Sequence, residues 1–127
     1  MSNGIEMVTK TEYQQIQSYV TLDGSQIREL MHPRVNKNQA QSLAEAIVPP
    51  GGKTRLHRHL RTEELYHFTS GHGLMTLGDE TFDVRGGDTV CIPPGTAHQL
   101  NNTGDIALKL LCCCSPAYSD DDTQLLE

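Results

Sequence analysis

Positive charge is scarce in this chain: ten Lys and Arg stand against sixteen Asp and Glu, leaving a net charge of −6 and a pI near 5.4. Such a balance disfavours nucleic acid or an anionic membrane as the main partner. Long apolar runs are also missing; none approaches the about 20 residues of a membrane-spanning helix. The first ten residues, MSNGIEMVTK, have neither a basic start nor a continuous apolar stretch, so no secretory signal is expected. The four cysteines, Cys91 and the run Cys112, Cys113 and Cys114, form no disulfide framework or zinc clip by spacing. A reduced, cytoplasmic setting is therefore expected. On a strand, Cys112 and Cys114 face one way and Cys113 the other, which suits small packing residues; a thiol beside a bound ion is the alternative. At 127 residues and 14.0 kDa the expectation is one domain.

What the chain does have is histidine in a telling pattern. His57 and His59 are separated by one residue, so on a strand both imidazoles point the same way. Glu64 follows at the start of an apolar run and can offer a carboxylate to the same ion. Further on, Pro93-Pro94-Gly95 is a turn that re-aims the chain just before His98. Three imidazole nitrogens and one carboxylate oxygen make a metal-ligand set, and Fe, Mn, Ni, Co, Cu or Zn as the divalent ion would suit it.

These residues resemble the two motifs of the cupin superfamily at every fixed position. Gly51, His57, His59, Glu64 and Gly71 fill the first motif; Gly87, Pro93, Gly95, His98 and Asn102 fill the second. Only fifteen residues lie between the blocks, as in compact single-domain microbial cupins. The resemblance implies an all-β fold, an antiparallel double-stranded β-helix or jelly-roll barrel, with one divalent metal near its axis held by His57, His59, Glu64 and His98. It also implies a homodimer. Glu64 doubles as a candidate catalytic base, a role given to the matching glutamate in some cupins.

Three classes of function follow. The first is a metal-dependent enzyme, foremost a dioxygenase, with a Lewis-acid isomerase or lyase acting on sugar phosphates or small acids as the alternative, in the manner of cupins likened to mannose-6-phosphate isomerase. The second is a non-catalytic small-molecule binding or sensor cupin. The third, a storage or protein-partner role, is disfavoured by the small size and intact ligand set. Arg55 and Arg61 share parity with His57 and His59 if the strand continues, so Arg55 is a candidate substrate residue for an anionic ligand. Tyr66 shares parity with Glu64 and is the other candidate, while His67 faces away.

Around the motifs, Val20, Thr21 and the turn pair Asp23-Gly24 suggest a first hairpin, with Ser25 to Met31 as its return strand. Residues 1–41 are expected to form an N-terminal extension or arm, 42–116 the barrel, and 117–127 an acidic tail, solvated and mobile. His32, beside Pro33, is expected on the surface or in a loop, and His72 between two glycines is expected to be exposed. Ser42 to Val48, Glu64 to Thr69, Leu74 to Leu77, Thr81 to Arg85, Thr89 to Ile92, His98 to Asn101 and Ala107 to Cys113 are the expected barrel strands.

Overall fold

A computed structural model describes residues 8–127; most of the segment inspected for a targeting signal, residues 1–7, lies outside the described residues. Among the described residues there are eleven strands: β1 Ser18–Val20, β2 Gln26–Met31, β3 Ser42–Val48, β4 His57–His59, β5 Glu63–Ser70, β6 His72–Leu77, β7 Glu80–Arg85, β8 Thr89–Ile92, β9 His98–Asn101, β10 Leu108–Ser115 and β11 Thr123–Leu125. They form two antiparallel sheets, ordered β1-β2-β3-β10-β5-β8 and β11-β4-β9-β6-β7. This is the all-β double-stranded β-helix expected from the motifs. No helix among the described residues is long and apolar enough to cross a membrane.

Alternation along the strands decides what lies between the sheets. β5 buries Glu64, Tyr66 and Phe68 and exposes Leu65, His67 and Thr69, so a single register fixes which side chains meet the interior. Phe68, Leu108 and Leu110 from one sheet pack with Met75 and Leu100 from the other, and all are fully buried. Each such side chain contributes about 1.5–3 kcal/mol relative to an exposed position. β3 alternates too, but by size: Ser42, Ala44, Ala46 and Val48 face in, while Leu43, Glu45 and Ile47 face out. Its inner face is thus made of small residues, which leaves room for a chamber beside His57, His59 and Glu64.

Two turns aim the site strands. Gly52 N–H donates to Pro49 O at 2.9 Å and Gly51 sits at φ 76°, so Pro50 and Gly51 occupy the positions a tight turn with a left-handed third residue demands. The second turn repeats the device: Thr96 N–H donates to Pro93 O, with Gly95 at φ 80°. Gly95 N–H then donates to His59 O at 2.6 Å, tying the turn before β9 to β4. Asn102, fully buried, donates to Val48 O and Ile106 O and accepts from Gly104 N–H, so the last motif residue is a structural clamp.

Ahead of β1 the chain makes one 3-10 turn, Tyr13–Gln15. Two expectations are adjusted. His32 lies in a loop but is buried: Nδ1 accepts from Arg34 N–H at 3.0 Å, leaving Nε2–H to donate to Tyr118 O at 2.7 Å. The acidic tail is not a solvated strand of charges. Buried Asp122 accepts from the N–H groups of Arg61 and Thr62, and β11 pairs with β4 so that Thr123 lies opposite His59. Two backbone donors at the β4–β5 turn, the N–H groups of Arg61 and Thr62, and the Arg61 side chain recruit that carboxylate, which outweighs the composition of the segment.

Candidate metal centre

β4 supplies His57 and His59, β5 supplies Glu64, and β9 supplies His98; His57 and His98 are paired across the β4–β9 ladder. All four are buried. One nitrogen from each of the three histidines lies within 4.8 Å of the other two. Glu64 joins them from the opposite sheet, its Oε1 standing 3.1 Å from His59 Nε2 and 3.6 Å from His98 Nε2.

The outer contacts of the rings settle which nitrogen faces inward. His57 Nδ1 meets Arg55 O at 2.8 Å and His98 Nδ1 meets Thr96 O at 2.9 Å. A carbonyl only accepts, so each Nδ1 carries its proton and each Nε2 presents a lone pair. His59 Nδ1 lies 3.0 Å from Thr123 Oγ1, whose own proton goes to Ser119 O at 2.9 Å. That hydroxyl therefore accepts from His59 as well. Three Nε2 lone pairs and a carboxylate oxygen converge without a proton between them, and Glu64 Oε1 and His98 Nε2 are buried without a hydrogen-bond partner. Such a cluster calls for a cation, because an unpaired buried polar group costs about 1–3 kcal/mol. The residues fit a divalent metal, which those four atoms can hold.

The local electrostatics agree. Burial raises the Glu64 carboxyl, but contact with His59 and His98 as protonated partners lowers it further, to about 2; with the imidazoles neutral, a bound cation would supply the positive charge that keeps the carboxylate ionised. Burial and then the neighbouring His98 push His57 below the ordinary imidazole range, which favours the neutral, ligating form. Cys114 Sγ–H donates to Glu64 Oε2 at 3.3 Å, which turns Oε1 toward the histidines. Burial, followed by the Glu64 charge, pushes both the Cys112 and Cys114 thiols up, so both stay neutral and Cys114 keeps the proton it donates to Glu64.

A chamber of about 50 Å³ opens on the ligand cluster. Tyr66 lines it, buried, its ring 5.9 Å from His98. Arg55 does not reach it. The residues before β4 leave the strand, so parity breaks between buried Thr54 and His57, and the exposed Arg55 guanidinium donates to Glu127 O at 2.6 Å instead. Arg61 is likewise turned outward, onto Asp122. His67 is exposed and bonded to Thr89, and His72 is exposed, as expected.

Sequence reasoning missed three contributors: Thr123 and Cys114, which orient His59 and Glu64, and Asp23. Asp23 comes from the β1–β2 turn, and its Oδ2 lies 3.7 Å from His57 Nε2. Parity set Cys112 and Cys114 on one face without saying which, and only the pairing of β10 with β5, which sets Cys114 opposite Glu64, places the thiol. Nothing in the sequence marks Asp23 beyond its place in a turn.

Comparison with known proteins follows the same lines. Over 120 residues the chain is 55% identical to the uncharacterized protein MJ1618 of Methanocaldococcus jannaschii, covering 94% of this chain and 96% of that one. It is 30% identical to the oxalate-binding protein of Thermotoga maritima over 66% of this chain and 65% of that protein. Its fold superposes on the oxalate decarboxylase of Lactobacillus farciminis, solved as a formate complex, with a TM-score of 0.77 and 26% identity over 89% of this chain; the chain spans 34% of that protein. Residues 44–114, more than half of the chain, match the model of the cupin domain. The chain belongs to the cupin family.

Proposed function

We propose that the protein is a metal-dependent enzyme of small molecules, a dioxygenase, with one divalent transition-metal ion held by His57, His59, Glu64 and His98. The observation that carries this reading is the buried pair of unpartnered atoms, Glu64 Oε1 and His98 Nε2, beside a chamber that Glu64 lines with His57 and His59. When bound, a redox-active ion of this kind supplies Lewis acidity and a means of activating dioxygen. The chain's own residues prepare that chemistry. The contacts at the three Nδ1 atoms fix tautomer and ring orientation, and the Cys114 thiol fixes the carboxylate. Leu100 and Leu110 line the chamber and limit the entry of water. Tyr66, buried at the wall, has a hydroxyl to hold a ligand against the site.

A Lewis-acid isomerase or lyase remains as a second reading, favoured by the ionised Glu64, which is suited to proton abstraction once it leaves the ion. Oxygen-electrode assays separate the two on protein loaded with Fe(II), Ni(II), Cu(II), Zn(II) or Mn(II), using a panel of small metabolites. Substrate-dependent oxygen uptake with a redox-active ion, lost in His57→Ala, supports the dioxygenase. Anaerobic turnover with Zn(II) or Mn(II) overturns it in favour of the second reading, and tight binding without product indicates a binding module. A homodimer is supported by the neighbouring exposed Val20, Leu22 and Val35 of the N-terminal extension; a monomer in sedimentation velocity would contradict it. The four unpaired cysteines support a cytoplasmic setting.

A further inference from the structure

The charge of the chamber runs against the anionic substrate that Arg55 suggested. Three carboxylates line it: Glu64 from β5, Asp23 from the β1–β2 turn and Glu29 from β2. Among the described residues, no lysine or arginine does. A phosphate or carboxylate entering this space meets no fixed cation besides the metal centre and is faced by three carboxyl groups; burial raises that of Glu29, an effect the Tyr19 hydroxyl it accepts from opposes.

Two of those carboxylates are arranged alike. Asp23 Oδ1 accepts from the N–H and hydroxyl of Ser25, at 2.9 and 2.6 Å, which leaves Oδ2 directed at His57. Glu29 Oε2 accepts from the Tyr19 hydroxyl at 3.0 Å, which leaves Oε1 buried with no partner. Each spends one oxygen on the protein and keeps one acceptor for something else. Glu29, Tyr19, Thr21 and Tyr118 line both the chamber and a groove outside it, so Glu29 stands where the two meet. The chamber itself, at about 50 Å³, has room for roughly three to five water-sized groups at about 10–15 Å³ each.

Resting on the metal-dependent reading above, we infer that the chamber takes a small amine, its ammonium group matched to the free oxygens of Asp23 and Glu29, and discriminates against phosphates and carboxylates. An ammonium carries three donors and no acceptor, which is what two unpaired carboxylate oxygens and the nearby Thr21 hydroxyl can satisfy. The N-terminal extension then sets specificity, since Asp23 and Glu29 both come from it.

Ethylamine, acetate and inorganic phosphate serve as probes of matched small size. Binding is followed at pH 8 by the visible absorption of Co(II)-loaded protein, and by calorimetry on metal-free protein. Ethylamine is expected to bind both forms more tightly than either anion. Glu29→Gln is expected to weaken ethylamine about tenfold and to strengthen acetate, with the Co(II) spectrum before ligand unchanged. Tighter binding of acetate or phosphate by the wild type overturns the inference. So does a Glu29→Gln variant that moves both probes in the same direction or neither. If Glu29→Gln does not fold, Asp23→Asn is read by calorimetry on metal-free protein alone, because Asp23 lies beside His57: weaker ethylamine and stronger acetate support the inference, and any other pattern overturns it. Failure of Co(II) to bind contradicts the metal centre instead, and the calorimetry on metal-free protein still decides the amine.

Discussion

Replacing Thr123 with valine removes one hydroxyl and leaves the side-chain volume almost unchanged. That hydroxyl accepts from His59 Nδ1–H at 3.0 Å and donates to Ser119 O at 2.9 Å. Without it, nothing fixes the tautomer of His59, and a buried imidazole N–H loses its acceptor. Loss of such an outer partner weakens metal binding about 10–100-fold, or about 1.4–2.8 kcal/mol. The unpaired groups cost the metal-free protein about 1–3 kcal/mol in addition. Competition for Zn(II) against a chelating dye reads the first effect, and urea unfolding of metal-free protein reads the second. Thr123→Ser keeps both hydrogen bonds and is expected to restore affinity to within a few-fold of wild type. A valine variant that binds Zn(II) as tightly as wild type would refute the role of the C-terminal strand in orienting His59.

Two further substitutions probe the packing and the tail. Leu110, fully buried between the sheets, is expected to lose about 2–5 kcal/mol on replacement by alanine; a loss below about 1 kcal/mol in urea unfolding would contradict its place in the core. Burial raises the Asp122 carboxyl, but the N–H groups of Thr62 and Arg61 lower it more, so its value in the folded protein lies below the ordinary 3.8. The stability it gives is therefore present above the ordinary carboxylate range and is lost as pH falls through the lowered value. Thermal melts between pH 6 and 2 are expected to fall less steeply for Asp122→Asn, and an unchanged slope would argue against the contact.

Much of the fold was legible because it is written locally. The boundaries of β3, β8 and β9 follow the sequence expectation, since turn glycines and prolines punctuate the chain at one or both of their ends. Parity within one strand correctly turned Tyr66 inward and His67 outward. Parity failed at Arg55 because the strand it assumed begins only at His57. The contacts that complete the site join residues far apart in the chain, and no local pattern announces them. Thr123 meets His59 across 64 residues, Cys114 meets Glu64 across 50, and Asp23 reaches His57 from the first hairpin. The acidic composition of the tail also misled, because Asp122 is drawn inward by the donors of a turn it cannot be seen to face until the chain is folded.

The central claim, that His57, His59, Glu64 and His98 hold a metal ion, is tested most directly by elemental analysis of the purified and reconstituted protein beside a His57→Ala/His98→Ala variant. About one equivalent of divalent ion per chain in the wild type, lost in the variant, is the expected result. A wild type that takes up no metal after reconstitution, or a variant that retains it, would contradict the claim.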